Sequence, residues 1–199
     1  MDIIAFTGAG ISAASGIPTF EELGESFRRS LSRSVFNADP EAFYRNVWKL
    51  KRACDEARPN AAHLALAEHG VPVITMNIDG LHRRAGTADL IEIHGGMERV
   101  RCKACGAEYP FSRVAGGCCC PACGGLLLHD VVLYEDQIPR LGEALARVEG
   151  PGVLLVIGTS FYTSTASYVV DHARVYGREV VMINEKAETE VPAFLKRRA

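Results

Sequence analysis

The sequence predicts an α/β fold: a Rossmann-like parallel sheet with helices on both faces, plus a small subdomain organised by four cysteines. Three observations predict it. Short β-rich runs alternate with helical segments from Ile3 to Ile183, the pattern of a mostly parallel sheet covered on both faces. The first run ends in Gly8-Ala9-Gly10, which reads as a strand, a tight turn and a helix start. Six of the seven cysteines fall between Cys102 and Cys123, in a Gly-rich stretch with no long periodic segment.

The elements follow in order. Ile3–Thr7 is a buried strand, and residues 12–16 continue a short helix broken at Gly16-Ile17-Pro18. Residues 19–34 are polar, rich in Ser and Arg and weakly periodic, and read as a mobile loop. Asp39 caps the next helix, with Pro40 at its first position, and the helix runs to about Ala57. Pro59-Asn60 opens a second helix that ends at Gly70. Then come a strand at 71–75, a helix at 78–85 stopped by Gly86, and a strand at 90–93 ending in His94-Gly95-Gly96. After the cysteine-rich stretch the pattern resumes: strand 131–134, helix 138–148, strand 153–157, helix 164–176 and strand 179–183. Residues 1–96 and 129–199 therefore form the sheet domain, with a small helical part around 20–58, and 97–128 form an insertion.

The formal net charge of −2 offers no electrostatic case for nucleic acid or a membrane surface. The longest apolar runs, such as residues 153–157, fall far short of the ~20 residues a membrane span needs. The N-terminus enters a strand with no basic segment or cleavage pattern, so a signal peptide is not expected and cytoplasmic residence is. Disulfides are disfavoured there, and clustered cysteines read first as metal ligands.

Cys102-Lys103-Ala104-Cys105 and Cys120-Pro121-Ala122-Cys123 are two C-x-x-C knuckles with 14 residues between them. That spacing suits tetrahedral Zn²⁺, and four thiolates leave no open coordination position, so the metal is expected to be structural. Cys118 and Cys119 leave the register open; Cys120 is preferred because it alone forms C-x-x-C with Cys123. A redox reading is weaker, since neither pair opens a helix beside a strand. His129 lies beside the module, but four cysteines already suffice.

Gly8-Ala9-Gly10-Ile11-Ser12 at a strand end suits a pyrophosphate, because glycines admit close backbone approach and a helix start supplies N–H donors. The spacing departs from G-x-G-x-x-G, with the next glycine at Gly16, and a plain tight turn is an equal reading. Two further strand ends, Gly158-Thr159-Ser160 and Asn184-Glu185, place small and polar residues on the rim where open α/β sheets bind ligands. Asn77 and Asp79 follow another strand; they suit an amide and a hydroxyl, or simply cap the next helix.

Taken together, Gly8–Phe20 (GAGISAASGIPTF), Thr75–Gly86 (TMNIDGLHRRAG), Ile93-His94-Gly95, the two knuckles, Asp130-Val131-Val132, Gly158-Thr159-Ser160 and Ile183-Asn184-Glu185 resemble, in the same order, the motifs of the sirtuins, Sir2-type NAD-dependent protein deacylases. The resemblance covers about residues 3–186. It implies a Rossmann-like domain and a zinc-binding subdomain with NAD in the cleft between them, and an acyl-lysine protein or peptide entering from the other side. Nicotinamide leaves, the acyl group ends on ADP-ribose, and His94 serves as general base beside Asn77 and Asp79. Implied cofactor contacts are Gly8, Ala9, Gly10, Ile11, Ser12, Gly16, Ile17, Thr19 and Phe20, then Met76, Asn77, Ile78, Asp79 and His94, and finally Gly158, Thr159, Ser160, Asn184, Glu185 and Lys186. Implied substrate contacts are Val131, Val132, Tyr134, Phe161 and Tyr162. Implied zinc ligands are Cys102, Cys105, Cys120 and Cys123. An imidazole titrating near ~6.5 fits the base role.

The chain departs from the family pattern in places. Glu21 stands where the family has an arginine that helps order NAD, and Arg28 or Arg29 is the candidate to compensate. Met76 replaces a glutamine, His129 a proline, and Tyr134-Glu135-Asp136 the usual F-G-E. The segment 161–165 also differs, and the chain ends at Ala199, short of the family's usual last strand and helix. Tyr44 has Val47 rather than arginine three residues on, so selectivity for acidic acyl chains does not carry over, and ordinary packing is expected of it. His82 is expected on a helix surface, and His63 to pack or cap. The leading function is a deacylase, specifically a deacetylase; the alternatives are an NAD hydrolase or ADP-ribosyltransferase on the same site, and a weak NAD or ADP-ribose binding module.

Overall fold

The computed structural model describes residues 2–19, 21–160 and 164–198. Strand β1 (Ile3–Thr7) leads into a 3₁₀ turn (Ala9–Ser15) closed by Gly16, whose φ of 83° is left-handed. Two short helices follow, α1 (Glu25–Ser30) and α2 (Arg33–Ala38), where the sequence reads as loop. Helix α3 (Pro40–Glu56) starts as expected: Asp39 accepts from the Ala42 N–H at 2.9 Å and Pro40 sits in the first turn. Helix α4 (Ala61–Glu68) is capped by Asn60 and His63 reciprocally. Then come β2 (Val73–Thr75), α5 (Leu81–Arg84) and β3 (Leu90–Glu92). The cysteine-rich stretch supplies β4 (Arg99–Cys102), β5 (Glu108–Pro110) and β6 (Leu127–His129). The chain returns through α6 (Leu141–Arg147), β7 (Gly152–Ile157), α7 (Ser164–Val175), β8 (Arg178–Ile183) and α8 (Ala187–Arg198).

The main sheet has the order β3-β2-β1-β7-β8, and every pairing in it is parallel. Thr7 lies opposite Thr75 and Ile157, Thr75 opposite Glu92, and Ile157 opposite Ile183. All five strands therefore end level, and the loops that follow them emerge on one rim. Strands β5, β4 and β6 form a separate antiparallel sheet.

Strand alternation divides the sheet's apolar residues between two cores. Ala5, Val73 and Leu155 pack with α4 and α8 residues such as Leu66 and Val191 on one face. Ile4, Phe6, Ile74 and Leu154 pack with α6 and α7 residues such as Ala144 and Val169 on the other. A third core joins α2 and α3 to the cysteine-bearing sheet, with Phe36, Phe43, Tyr44 and Val47 against Val100, Phe111 and Leu127. The helical part of the first half thus packs with the cysteine stretch, about 60 residues downstream in sequence, and lies beside the sheet rim. No helix among the described residues is long and apolar enough to cross a membrane.

Several expectations need correction. Residues 131–134 make a single bridge, Tyr134 to Ser32, instead of a strand in the sheet. The helix expected at 78–85 shrinks to four residues because Gly80 takes φ 72°. β8 is followed after three residues by α8, so a closing helix is present where none was expected. His82 is not a surface residue: it is buried, with Nε2 3.0 Å from the Thr7 hydroxyl. His129 does not approach the cysteine cluster. It is stacked on Phe43 at 4.9 Å and edge-on to Phe36 and Tyr44. Tyr44 packs as expected, buried, with its hydroxyl donating to the Leu127 carbonyl at 2.8 Å.

Neither ring nitrogen of His129 makes a well-formed hydrogen bond among the described residues; a poor contact with the Val131 backbone only partly opposes the effect of burial. Burial, then the Arg33 charge, lowers its pKa from 6.5 to about 4. The folded state binds this proton less readily than the unfolded chain, so the ring's contribution is steady above pH 6.5 and becomes a loss of stability as pH falls toward 4. The loss approaches about 3 kcal/mol, at 1.36 kcal/mol per unit. His129→Phe is expected to raise stability at neutral pH by about 1–3 kcal/mol, by removing buried unpaired nitrogens, and to make the acid loss shallower. Urea titrations of both proteins at pH 7.5 and 5 check this; equal slopes with pH count against it.

Candidate active site

The rim where the parallel strands end borders a cleft of about 800 Å³. Its floor is the first βα turn. A Cβ on Gly8 would lie 2.8 Å from the Gly158 carbonyl, and one on Gly10 would lie 2.7 Å from Gly158 Cα. The Gly8 and Gly10 N–H groups donate to the Ile157 and Gly158 carbonyls at 2.9 and 2.8 Å. These glycines are therefore required first by backbone-to-backbone packing of the β1 and β7 loops. Their N–H groups close the turn and do not serve as phosphate donors. Beside them, Asn184 accepts from the Thr159 N–H at 3.1 Å, which ties together the loops after β7 and β8.

A polar network sits under one side of the floor. Ser12 Oγ donates to Asp79 Oδ2 at 2.7 Å and accepts from Asn77 Nδ2 at 3.2 Å. Asn77 Nδ2 also reaches the Gly8 carbonyl at 3.2 Å, and Asp79 Oδ1 accepts from the Leu81 N–H at 2.8 Å. His63 Nε2 lies 3.4 Å from Ser12 Oγ, and its ring is 4.8 Å from that of His82. Burial lowers the pKa of His63 to about 4 and of His82 to about 3, so both rings are neutral. Asp79 is pushed up by burial, against the hydrogen bonds from Leu81 and Ser12 that favour its charged form. The network presents the Asp79 carboxyl and Asn77 amide to the cleft as a rigid pair.

His94 enters from the loop after β3. Its Nδ1 lies 3.1 Å from the Met76 carbonyl. Because a carbonyl only accepts, that contact puts the proton on Nδ1 and leaves the Nε2 lone pair available. Burial lowers the His94 pKa, the Met76 bond opposing, so the ring is neutral at physiological pH. Gly95 follows with φ 68°, and any side chain there would overlap the Asp130 carbonyl. The His94 carbonyl accepts from the Val132 N–H at 2.9 Å, which sets residues 131–134 along the same cleft.

Of the residues singled out in the sequence, Gly8, Ala9, Gly10, Ile17, Thr19, Met76, Asn77, Ile78, Asp79, His94, Gly158, Thr159, Ser160, Asn184 and Glu185 line this cleft, as do Val131, Val132 and Tyr134. Four do not. Ile11 is core, Ser12 is buried in the network, Gly16 caps the 3₁₀ turn, and the Lys186 carbonyl caps the start of α8 through Thr189 and Glu190. Phe20, Phe161 and Tyr162 lie outside the described residues. Glu135 and Asp136, noted in the sequence only as a departure from the family pattern, also line the cleft, and sequence reasoning missed Leu31, Leu50, Cys54 and Leu133, which do as well. Glu21 lines it as well, and Arg28 donates to its carbonyl at 3.0 Å, while Arg29 pairs with Glu25 at 2.5 Å on the surface.

The sulfurs of Cys102, Cys105, Cys120 and Cys123 lie within 4.8 Å of one another. Cys102 to Cys123 is 3.4 Å and Cys105 to Cys120 is 3.8 Å. A tetrahedral zinc with bonds of about 2.3 Å needs sulfurs about 3.8 Å apart, so the donor set fits one zinc. Cys120 is in the cluster; Cys119 is exposed and outside it, bridging backbone with Leu126.

Residues 8–164 match the sequence model of the Sir2 family. An NAD-dependent protein deacylase of Thermococcus kodakarensis is 42% identical, over 91% of this chain and 79% of the relative. NAD-dependent protein deacylase 2 of Pyrobaculum aerophilum is 40% identical, over 98% and 86%. A solved Sir2 structure with p53 peptide and NAD⁺ superposes with a TM-score of 0.88 at 26% identity, covering 98% of this chain and 92% of that one.

Proposed function

Because the chain belongs to the Sir2 family and is an NAD-dependent protein deacylase, we propose that it removes acetyl groups from lysine side chains of proteins, with His94 as the general base. The observation that carries this reading is the His94 Nδ1 contact to the Met76 carbonyl, which leaves a basic Nε2 in the cleft beside Asn77 and Asp79.

The cleft fits NAD by its own chemistry. It offers a floor of closely packed glycine backbone with no side chain standing on it, a part-buried carboxyl on Asp79, and polar groups at the ends of several strands. When bound, NAD supplies the ribose carbon that receives the acyl oxygen and the nicotinamide that leaves. With NAD bound, Asn77 and Asp79 would orient the ribose side, and His94 Nε2 would take a proton from a ribose hydroxyl. Val131, Val132 and Tyr134 face the acyl-lysine. Zinc on the four cysteines is structural: with every position thiolate-filled, it offers no Lewis-acid site. We place the reaction in the cytoplasm, since reduced thiolates are needed to hold the metal.

Mass spectrometry of protein incubated with NAD and an acetyl-lysine peptide tests the reading. Nicotinamide and O-acetyl-ADP-ribose are expected in equal amounts, with neither formed when peptide is omitted. Free ADP-ribose and nicotinamide released without peptide would mean an NAD hydrolase instead.

A further inference from the structure

The segment after His129 is held from an unexpected direction. Leu133–Asp136 form a tight turn, closed by the Asp136 N–H to the Leu133 carbonyl at 3.1 Å. Glu135 occupies its third position with φ 77°, a conformation that glycine adopts freely and glutamate does not. That strain needs a compensating contact, and residues 31–34 supply it. The Tyr134 N–H donates to the Leu31 carbonyl at 2.9 Å, and the Arg33 N–H to the Tyr134 carbonyl at 3.0 Å. The Glu135 carboxylate accepts from the Ser34 N–H at 3.1 Å and the Ser34 hydroxyl at 2.9 Å. Arg33 forks onto Asp136, Nε to Oδ1 at 2.8 Å and Nη2 to Oδ2 at 2.7 Å, and Asp136 Oδ2 also accepts from the Leu133 N–H at 2.9 Å. The pair is partly buried, which protects it from solvent screening.

We propose that Arg33, acting through Asp136, is the positioning residue for the substrate-pairing segment and sets affinity for the peptide but not for NAD. The proposal rests on the reading that residues 131–136 face the acyl-lysine peptide. Glu135 stands at the glycine position of the F-G-E pattern, and it and Asp136 clip the turn to the start of α2. Arg33 is anchored in turn, with its guanidinium 5.2 Å from the Phe36 ring centre, and Phe36 lies in the third core. The fork is bidentate and planar, so lysine cannot reproduce it.

Steady-state kinetics on the full chain, varying an acetyl-lysine peptide at saturating NAD and then the reverse, test this. Arg33→Ala is expected to raise peptide KM about tenfold, leaving kcat and NAD KM within about twofold, because only substrate placement is loosened. Arg33→Lys should fall between. Asp136→Asn keeps an oxygen that can accept from the Leu133 N–H but removes the charge Arg33 forks onto. It should raise peptide KM in the same direction, and Arg33→Ala with Asp136→Asn should raise it no further than Arg33→Ala alone, whereas two unrelated destabilisations would add. Unmoved peptide KM in Arg33→Ala, or additive losses in the double variant, overturns the proposal while the deacylase reading stands. Turnover by the unaltered protein that does not depend on peptide overturns the deacylase reading, and this proposal with it.

Discussion

Replacing His94 by alanine is expected to lower kcat/KM for an acetyl-lysine peptide by about 10²- to 10⁴-fold, the range for a positioned general base. The protein should stay folded, since the loss of one hydrogen bond to Met76 costs about 1 kcal/mol. The pH profile of the unaltered protein carries a second signature. Burial holds the His94 pKa below the ordinary histidine range. The base must be neutral to accept a proton, so the acidic limb of the activity profile should lie at lower pH than an ordinary histidine would give. His94→Ala should lose that acidic limb together with the rate. A variant within threefold of the original rate would remove His94 from the mechanism.

Stripping zinc is the other large effect. Metal binding to a structural cysteine site is worth about 10–16 kcal/mol at neutral pH, which exceeds what a small module retains without it. Cys102, Cys118 and Cys120 belong to the same core as Phe36, Phe43 and Tyr44, and that core backs the Leu31, Leu50 and Leu133 wall of the cleft. Chelation should therefore abolish deacylation while the five-stranded sheet, with its own two cores, keeps most of the far-ultraviolet signal. Cys120→Ala should do the same, whereas Cys119→Ala should retain activity, because Cys119 lies outside the cluster. Titration with Co²⁺, followed by the thiolate charge-transfer bands, gives the stoichiometry; anything other than one metal per chain, or full activity after chelation, contradicts this picture.

The sheet and the knuckles were legible because each is a local pattern. A short β-branched run such as Val153-Leu154-Leu155-Val156-Ile157, bounded by Gly152 and Gly158, reads as buried strand, and paired C-x-x-C spacing suits one tetrahedral metal. Much of the cleft was legible for the same reason, since Gly8, Asn77, Asp79 and His94 lie within a few residues of strand ends. What stayed hidden depends on contacts distant in sequence. Arg33 and Asp136 are 103 residues apart, and the stretch holding Arg33 has no periodicity to announce α1 and α2. His82 read as a surface residue because a short polar helix gives no sign that its histidine points inward to Thr7. The glycines of the first turn were rightly placed but for an incomplete reason: the partner that excludes a side chain is Gly158, in the loop just after β7 and far along the chain.

The third core also constrains how the chain comes off the ribosome. Tyr44 on α3 bonds the carbonyl of Leu127, 83 residues later. At about 5–20 residues per second, the apolar face of α2 and α3 waits about 4–17 s for its partner strand to be synthesised. Cys123 emerges only a few residues before Leu127. Metal capture and closure of this core therefore fall in the same brief window of synthesis, and a nascent chain deprived of zinc at that moment exposes Phe36, Phe43 and Tyr44 together to chaperones and proteases.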